Sequence, residues 1–173
     1  MRKLASIVSI IIGIAFIVAG AVAWGMVSSQ LADENITVPD DAPWSQGETV
    51  NGPIDAFAQA EIINEHALAA SGGNTYAELG TLAGEAEAAG DTELAEQYQE
   101  QRETVMNGSF LRASLFTSVL AFGVSAMAIA TGIALTLLGL AAAKGRDKDR
   151  GRGNGGVQGD VRRDGEYGST SAL

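Results

Sequence analysis

Cysteine is absent from the 173 residues. That excludes a disulfide scaffold, thiolate metal sites, a cysteine nucleophile and a lipoprotein acylation site. Histidine occurs once, at His66, which excludes any site built on two imidazoles. No carboxylate lies three or four residues from it, the spacing of helical metal pairs, so a surface histidine is the expectation. Proline occurs three times, at Pro39, Pro43 and Pro53, all in one segment. No glycine-rich phosphate loop, P-loop or nucleophile elbow is present. No EF-hand spacing accompanies the paired carboxylates Asp33-Glu34 and Asp40-Asp41. No cofactor, no metal and no catalytic residue is therefore expected. The net charge is −10 and the isoelectric point about 4.4. A polyanion is a poor partner for such a chain, so no nucleic acid is expected.

The apolar residues gather into two long blocks. Leu4 to Val27 runs 24 residues without a charge, behind Arg2 and Lys3. Ala113 to Ala143 runs 31 residues without a charge, between Arg112 and Lys144. About 20 apolar residues suffice to cross a bilayer at 1.5 Å rise per residue. Two transmembrane helices are predicted, over residues 4–27 and 112–143. Trp24, Phe110, Arg112 and Lys144 stand at the ends of the blocks, where interface anchors belong. A second reading of the first block is a cleaved signal peptide, since Ala21-Val22-Ala23 fits a small-x-small cleavage pattern. The apolar run exceeds a usual signal core, which favours a retained anchor.

Neither block contains an ionisable residue, and intramembrane charges are the usual mark of ion or proton pathways. Both blocks contain small residues at helical spacing. Ser9 and Gly13 are four apart, as are Ala15, Ala19 and Ala23. In the second block Ala126, Ala130 and Ala134 keep the same spacing, and Gly123, Gly132 and Gly139 accompany them. Small residues let two helices approach closely inside lipid. These positions are the packing candidates, with the helices meeting in a hairpin or in contact with another copy.

Charge sets the predicted topology. The segment between the blocks, residues 28–111, holds 16 acidic residues and one basic residue, Arg102. Five basic and two acidic residues follow the second block in 144–152. Lysine and arginine favour the cytoplasmic side. Both termini, 1–3 and 144–173, are thus expected inside the cell membrane, with the acidic loop outside. The glycine- and charge-rich tail is expected to be disordered.

The acidic loop divides further. Residues 33–53 read as turn-rich, with Trp44 packing on the helices. Pro53 to Ser71 reads as a helix opened by proline and stopped by Gly72-Gly73. Its apolar residues form no single clean stripe. Thr75-Tyr76-Ala77-Glu78 matches a capping box and predicts a second helix start. Gly84 to Gly90 reads as a flexible or partly helical insertion. Asp91 or Thr92 caps a last helix, which either breaks at Asn107-Gly108-Ser109 or continues into the membrane. The fold class is all-α: a membrane helical hairpin carrying a small acidic helical cap.

Several phrases resemble a family of small actinobacterial membrane proteins. They are Met106-Asn107-Gly108-Ser109-Phe110-Leu111-Arg112-Ala113-Ser114-Leu115-Phe116-Thr117-Ser118-Val119, Ser28-Ser29-Gln30-Leu31-Ala32-Asp33-Glu34, Asp41-Ala42-Pro43 and Thr75-Tyr76-Ala77-Glu78-Leu79. The resemblance covers roughly residues 4–140 and implies two spans with an outer helical loop. Many such proteins carry the label "aromatic ring-opening dioxygenase". That chemistry takes an iron site of two histidines and a carboxylate, and this chain has one histidine. The leading expectation is a non-enzymatic envelope interaction or accessory protein with a membrane or envelope partner, self-association included. The alternatives are an accessory subunit or enzyme of the dioxygenase type, and a small oligomeric channel.

Overall fold

The computed structural model describes the backbone of residues 2–153 and the side chains of residues 3–144. Four helices follow one another: α1 (Arg2–Asp33), α2 (Pro53–Ala70), α3 (Tyr76–Ala88) and α4 (Thr92–Gly153). Among the described residues there is no strand; one isolated antiparallel bridge joins Thr37 to Thr49. The described residues are all-α, as the sequence predicts. Lys3–Asp33 and Thr92–Lys144 are each long and apolar enough to cross a membrane. α1 and α4 pack antiparallel, with Ser6 meeting Gly139 at one end and Trp24 meeting Phe122 towards the other. α2 and α3 both pack on α4.

α4 is the organising element. Its 62 residues make a rod of about 93 Å at 1.5 Å per residue. Of the two readings at Asn107-Gly108-Ser109, the second holds: the helix continues without a break. Gly108 is buried, and a side chain there would begin 3.0 Å from the Ala67 Cβ of α2. The glycine lets two helices approach and does not end one. At the other end the helix runs to Gly153, where disorder was expected from Lys144. Extending an existing helix carries no nucleation cost, and basic residues suit a helix C-terminus. Residues 154–173 of the expected disordered tail lie outside the described residues.

Of the two readings of Gly84 to Gly90, the partly helical one holds: α3 runs on to Ala88, with Gly80 and Gly84 in its interior. Leu79, Ala83 and Ala86 are buried on one side, and that burial overrides the glycines' weak propensity. Thr75 caps α3 as the sequence predicts. Its hydroxyl accepts from the Glu78 N–H at 3.4 Å, while Glu78 Oε2 accepts from the Thr75 N–H at 2.8 Å and hydroxyl at 2.7 Å. These bonds, the hydroxyl's first, hold the Glu78 carboxyl below its usual range. Thr75→Ala removes both hydroxyl contacts. It is expected to cost about 1 kcal/mol, as lost caps do, measured by thermal unfolding of the full chain.

α2 explains its own irregular pattern. Ala56, Ala58, Ala60 and Ile62 are all buried, too many for one stripe. The helix is covered from two directions. On one side lies the loop 34–52, closed by Val38 N–H to Glu48 O (3.0 Å) and Val50 N–H to Ile36 O (2.9 Å). On the other lies α4. Trp44 of the loop stacks on Phe57 at 6.0 Å, and Phe57 meets Phe116 of α4 at 5.6 Å. Val38, Val50, Ala56, Ile62, Leu115 and Phe122 join one core at the junction of cap and long helices.

Candidate functional site

The contact between α1 and α4 is a seam of small residues repeating every seven positions. Ser6, Gly13 and Gly20 line it on α1; Gly139, Gly132 and Ser125 answer on α4. All six are buried. A Cβ on Gly132 would fall 2.5 Å from the Gly13 carbonyl oxygen, and one on Gly20 would fall 2.7 Å from the Ser125 carbonyl oxygen. The two backbones touch, so glycine is required there. Ser6 Oγ donates to the Gly139 carbonyl at 2.7 Å, and Ser9 Oγ donates to the Leu135 carbonyl at 2.8 Å. Between the small residues sit larger ones, Ile10, Ile17 and Ile129, filling the alternate layers. Trp24 and Phe122 close the far end edge to face, with ring centroids 4.8 Å apart. A seven-residue period, or 3.5 per turn, is the signature of a left-handed helix pair.

This placement sorts the packing candidates. Ser9 and Gly13 lie in the seam. Ala15, Ala19 and Ala23 do not: all three are exposed on the outer side of α1. Ala126, Ala130 and Ala134 are exposed on the outer side of α4, and Gly123 has open space beside it. The four-residue spacing found the seam with Ser9 and Gly13 but the outer face with the two alanine sets. A strict four-residue step over-rotates a helix by 40° each time, whereas seven residues return it within about 20° of the start. Ser6, Gly20 and Ser125 were missed, and the seven-residue repeat was the signal that finds them.

The anchors divide likewise. Trp24 is half-buried in the seam, Phe110 is exposed, and Lys144 is exposed. Arg112 is half-buried; its guanidinium lies 4.0 Å from Glu61 of α2 and 5.5 Å over the Phe116 ring. It ties the cap to α4 at the point where the apolar block begins. Arg102, the one basic residue of the cap, lies 4.2 Å over the Tyr76 ring and joins α3 to α4.

His66 has a partner that spacing did not reveal. Its Nε2 donates to Asp41 Oδ2 at 2.7 Å, across 25 residues, and both side chains are exposed. That bond holds the Asp41 carboxyl below its ordinary value. The pair fastens the loop to α2. Among the described residues, no cluster of three metal-ligating side chains occurs.

Two concavities stand out among the described residues. A groove of about 1000 Å³ lies where the far end of α1 meets α2 and α4. Its walls include Leu31, Ile63 and Leu115, and Asp33 and Glu34 stand at its edge. A smaller one of about 380 Å³ lies between α3 and α4, lined by Glu87, Glu96, Glu100 and Glu103. The last three share a face of α4, being four and three residues apart.

Compared with known proteins, the chain matches no family model, no curated sequence and no solved structure.

Proposed function

We propose that the chain is a non-enzymatic two-span membrane protein whose acidic outer cap docks another component of the cell envelope. One observation carries the membrane part. The helix pair buries its small residues and leaves its large apolar side chains outermost. Leu4, Ile11 and Val18 of α1 and Leu120, Met127 and Leu138 of α4 are all more than half exposed. A water-soluble pair does the reverse, because exposing a continuous apolar surface to water is unfavourable. In lipid it costs nothing, and close backbone contact supplies the adhesion. Hydroxyls within the apolar blocks are tied to carbonyls: Thr117 to Ala113 at 2.7 Å, Ser125 to Ala121 at 2.8 Å, Thr136 to Gly132 at 2.8 Å.

Charge supports the sidedness, with both termini in the cytoplasm and the cap outside. It also suits a partner of a particular kind. The cap holds 16 carboxylates and one guanidinium, and Arg102 already lies over Tyr76. A basic surface on an envelope protein is the complementary match. The single histidine, bonded to Asp41, leaves a ring-opening iron site short of ligands.

The test is cross-linking in intact cells. A photo-reactive residue at Gln99, in the acidic concavity, is expected to give a discrete protein adduct. Neutralising Glu96, Glu100 and Glu103 to Gln is expected to weaken it. A residue at Val124, exposed on the apolar face, is expected to give no such adduct. An adduct at Gln99 indifferent to the three glutamates would contradict the docking reading.

A further inference from the structure

We propose that the groove at the outer end of the helix pair binds a membrane lipid whose headgroup ends in a primary ammonium. The inference rests on the reading of α1 and α4 as membrane spans.

The groove follows the chain directions. α1 leaves the apolar block along it, from Val27 to Asp33 with Glu34 just beyond, and α4 enters its apolar block along it, from Leu111 to Ala121. It therefore covers about 10 Å of α1 and about 15 Å of α4 at 1.5 Å per residue. Its inner part lies within the apolar blocks and its outer part lies beyond them. The inner part is lined by Val27, Leu115, Ala121, Thr117 and Ser118, and the two hydroxyls are already given to the Ala113 and Ser114 carbonyls. At hydrocarbon depth such a recess has too few polar partners to hold water, and unfilled walls lose their dispersion contacts. An acyl chain satisfies both conditions.

The outer part selects the headgroup. Asp33 and Glu34 are exposed at its edge, and among the described residues no cationic side chain lines the groove. Gln59 also lines it, and its Oε1 is buried without a hydrogen-bond partner. Two exposed carboxylates with no cation among the described lining residues favour a donor with positive charge. A primary ammonium has three N–H donors. A trimethylated ammonium carries the same charge and no N–H, so the two headgroups separate hydrogen bonding from charge alone. The order of surfaces, uncharged within the apolar blocks and acidic beyond them, is the order of chain and headgroup along one lipid. A helix of a second protein presents no such gradient.

The test uses the full chain purified in mild detergent. It is offered equal amounts of phosphatidylethanolamine and phosphatidylcholine with identical acyl chains, and bound lipid is counted by native mass spectrometry. The ethanolamine lipid is expected in about tenfold excess, the scale of a charge-assisted hydrogen bond. Asp33→Asn with Glu34→Gln is expected to erase that excess and keep the total lipid bound. Ser118→Phe, which fills the groove, is expected to lower both lipids. Equal binding by the unaltered chain overturns the proposal, as does an excess that survives the double substitution. A photo-reactive residue at Ser118 that captures protein in place of lipid overturns it too. Flotation of the unaltered chain with lipid vesicles tells the two readings apart. A chain that floats without headgroup preference defeats this inference alone; one that fails to float defeats the span reading with it.

Discussion

Gly132→Leu is expected to separate the two long helices. The Gly132 backbone lies against the Gly13 carbonyl oxygen and the Ile17 backbone N–H, at 2.5 and 2.8 Å from where a Cβ would sit. No rotamer of leucine avoids those atoms, because the clash begins at Cβ. The helices must move apart, and the neighbouring bond from Ser9 to the Leu135 carbonyl is expected to lengthen with them. Overpacking costs about 1–3 kcal/mol and occasionally more, and a backbone clash belongs at the upper end. Thermal unfolding in mild detergent measures it. Ala19→Leu and Ala130→Leu are the controls. Both positions are exposed on the outer faces, so each is expected to stay within about 0.5 kcal/mol, as unencumbered surface changes do. Controls as damaging as Gly132→Leu would move the seam to the alanine faces.

Phe122→Ala is expected to be the more costly substitution. Phe122 is the largest fully buried side chain, 1% exposed, in the core where the helix pair meets the cap. It holds Trp24 edge to face. Truncation leaves a cavity that Leu115 and Trp24 cannot collapse into without shifting α1 or α2. Buried Phe→Ala changes cost about 3–5 kcal/mol. The effect is expected to reach beyond the site, loosening α2 as well. A fall in Trp24 fluorescence polarisation, read in a Trp44→Phe background, reports the local part. A loss of less than about 1 kcal/mol would mean that the junction core does not hold the cap to the helices.

Much of this architecture was legible in the sequence. The charge-free blocks mark the two long helices because a 20-residue apolar run has few other uses. Pro53 and the Thr75–Glu78 box mark helix starts because each satisfies orphan N–H groups locally. What escaped was whatever depended on distant chain. His66 finds Asp41 only once the loop has folded back on α2. The scattered apolar residues of α2 make sense only with cover on two sides. Gly108 reads as a break or as a continuation alike until Ala67 is seen against it. The seam escaped for a different reason. Its small residues recur every seven positions, at Ser6, Gly13 and Gly20, and are diluted by alanines at four-residue spacing that face outward. Counting small residues finds both sets; only the longer period says which set can stay on one face along 15 residues of helix.

The acidic segment outside and both termini inside form the central claim, and impermeant thiol labelling tests it most directly. The chain has no cysteine, so each introduced one reports alone. Thr81 is exposed on α3, and Ser169 lies in the tail. In intact cells Thr81→Cys is expected to react fully with the reagent, and Ser169→Cys is expected to react only after the membrane is permeabilised. Labelling of Ser169→Cys in intact cells with Thr81→Cys protected would contradict the account.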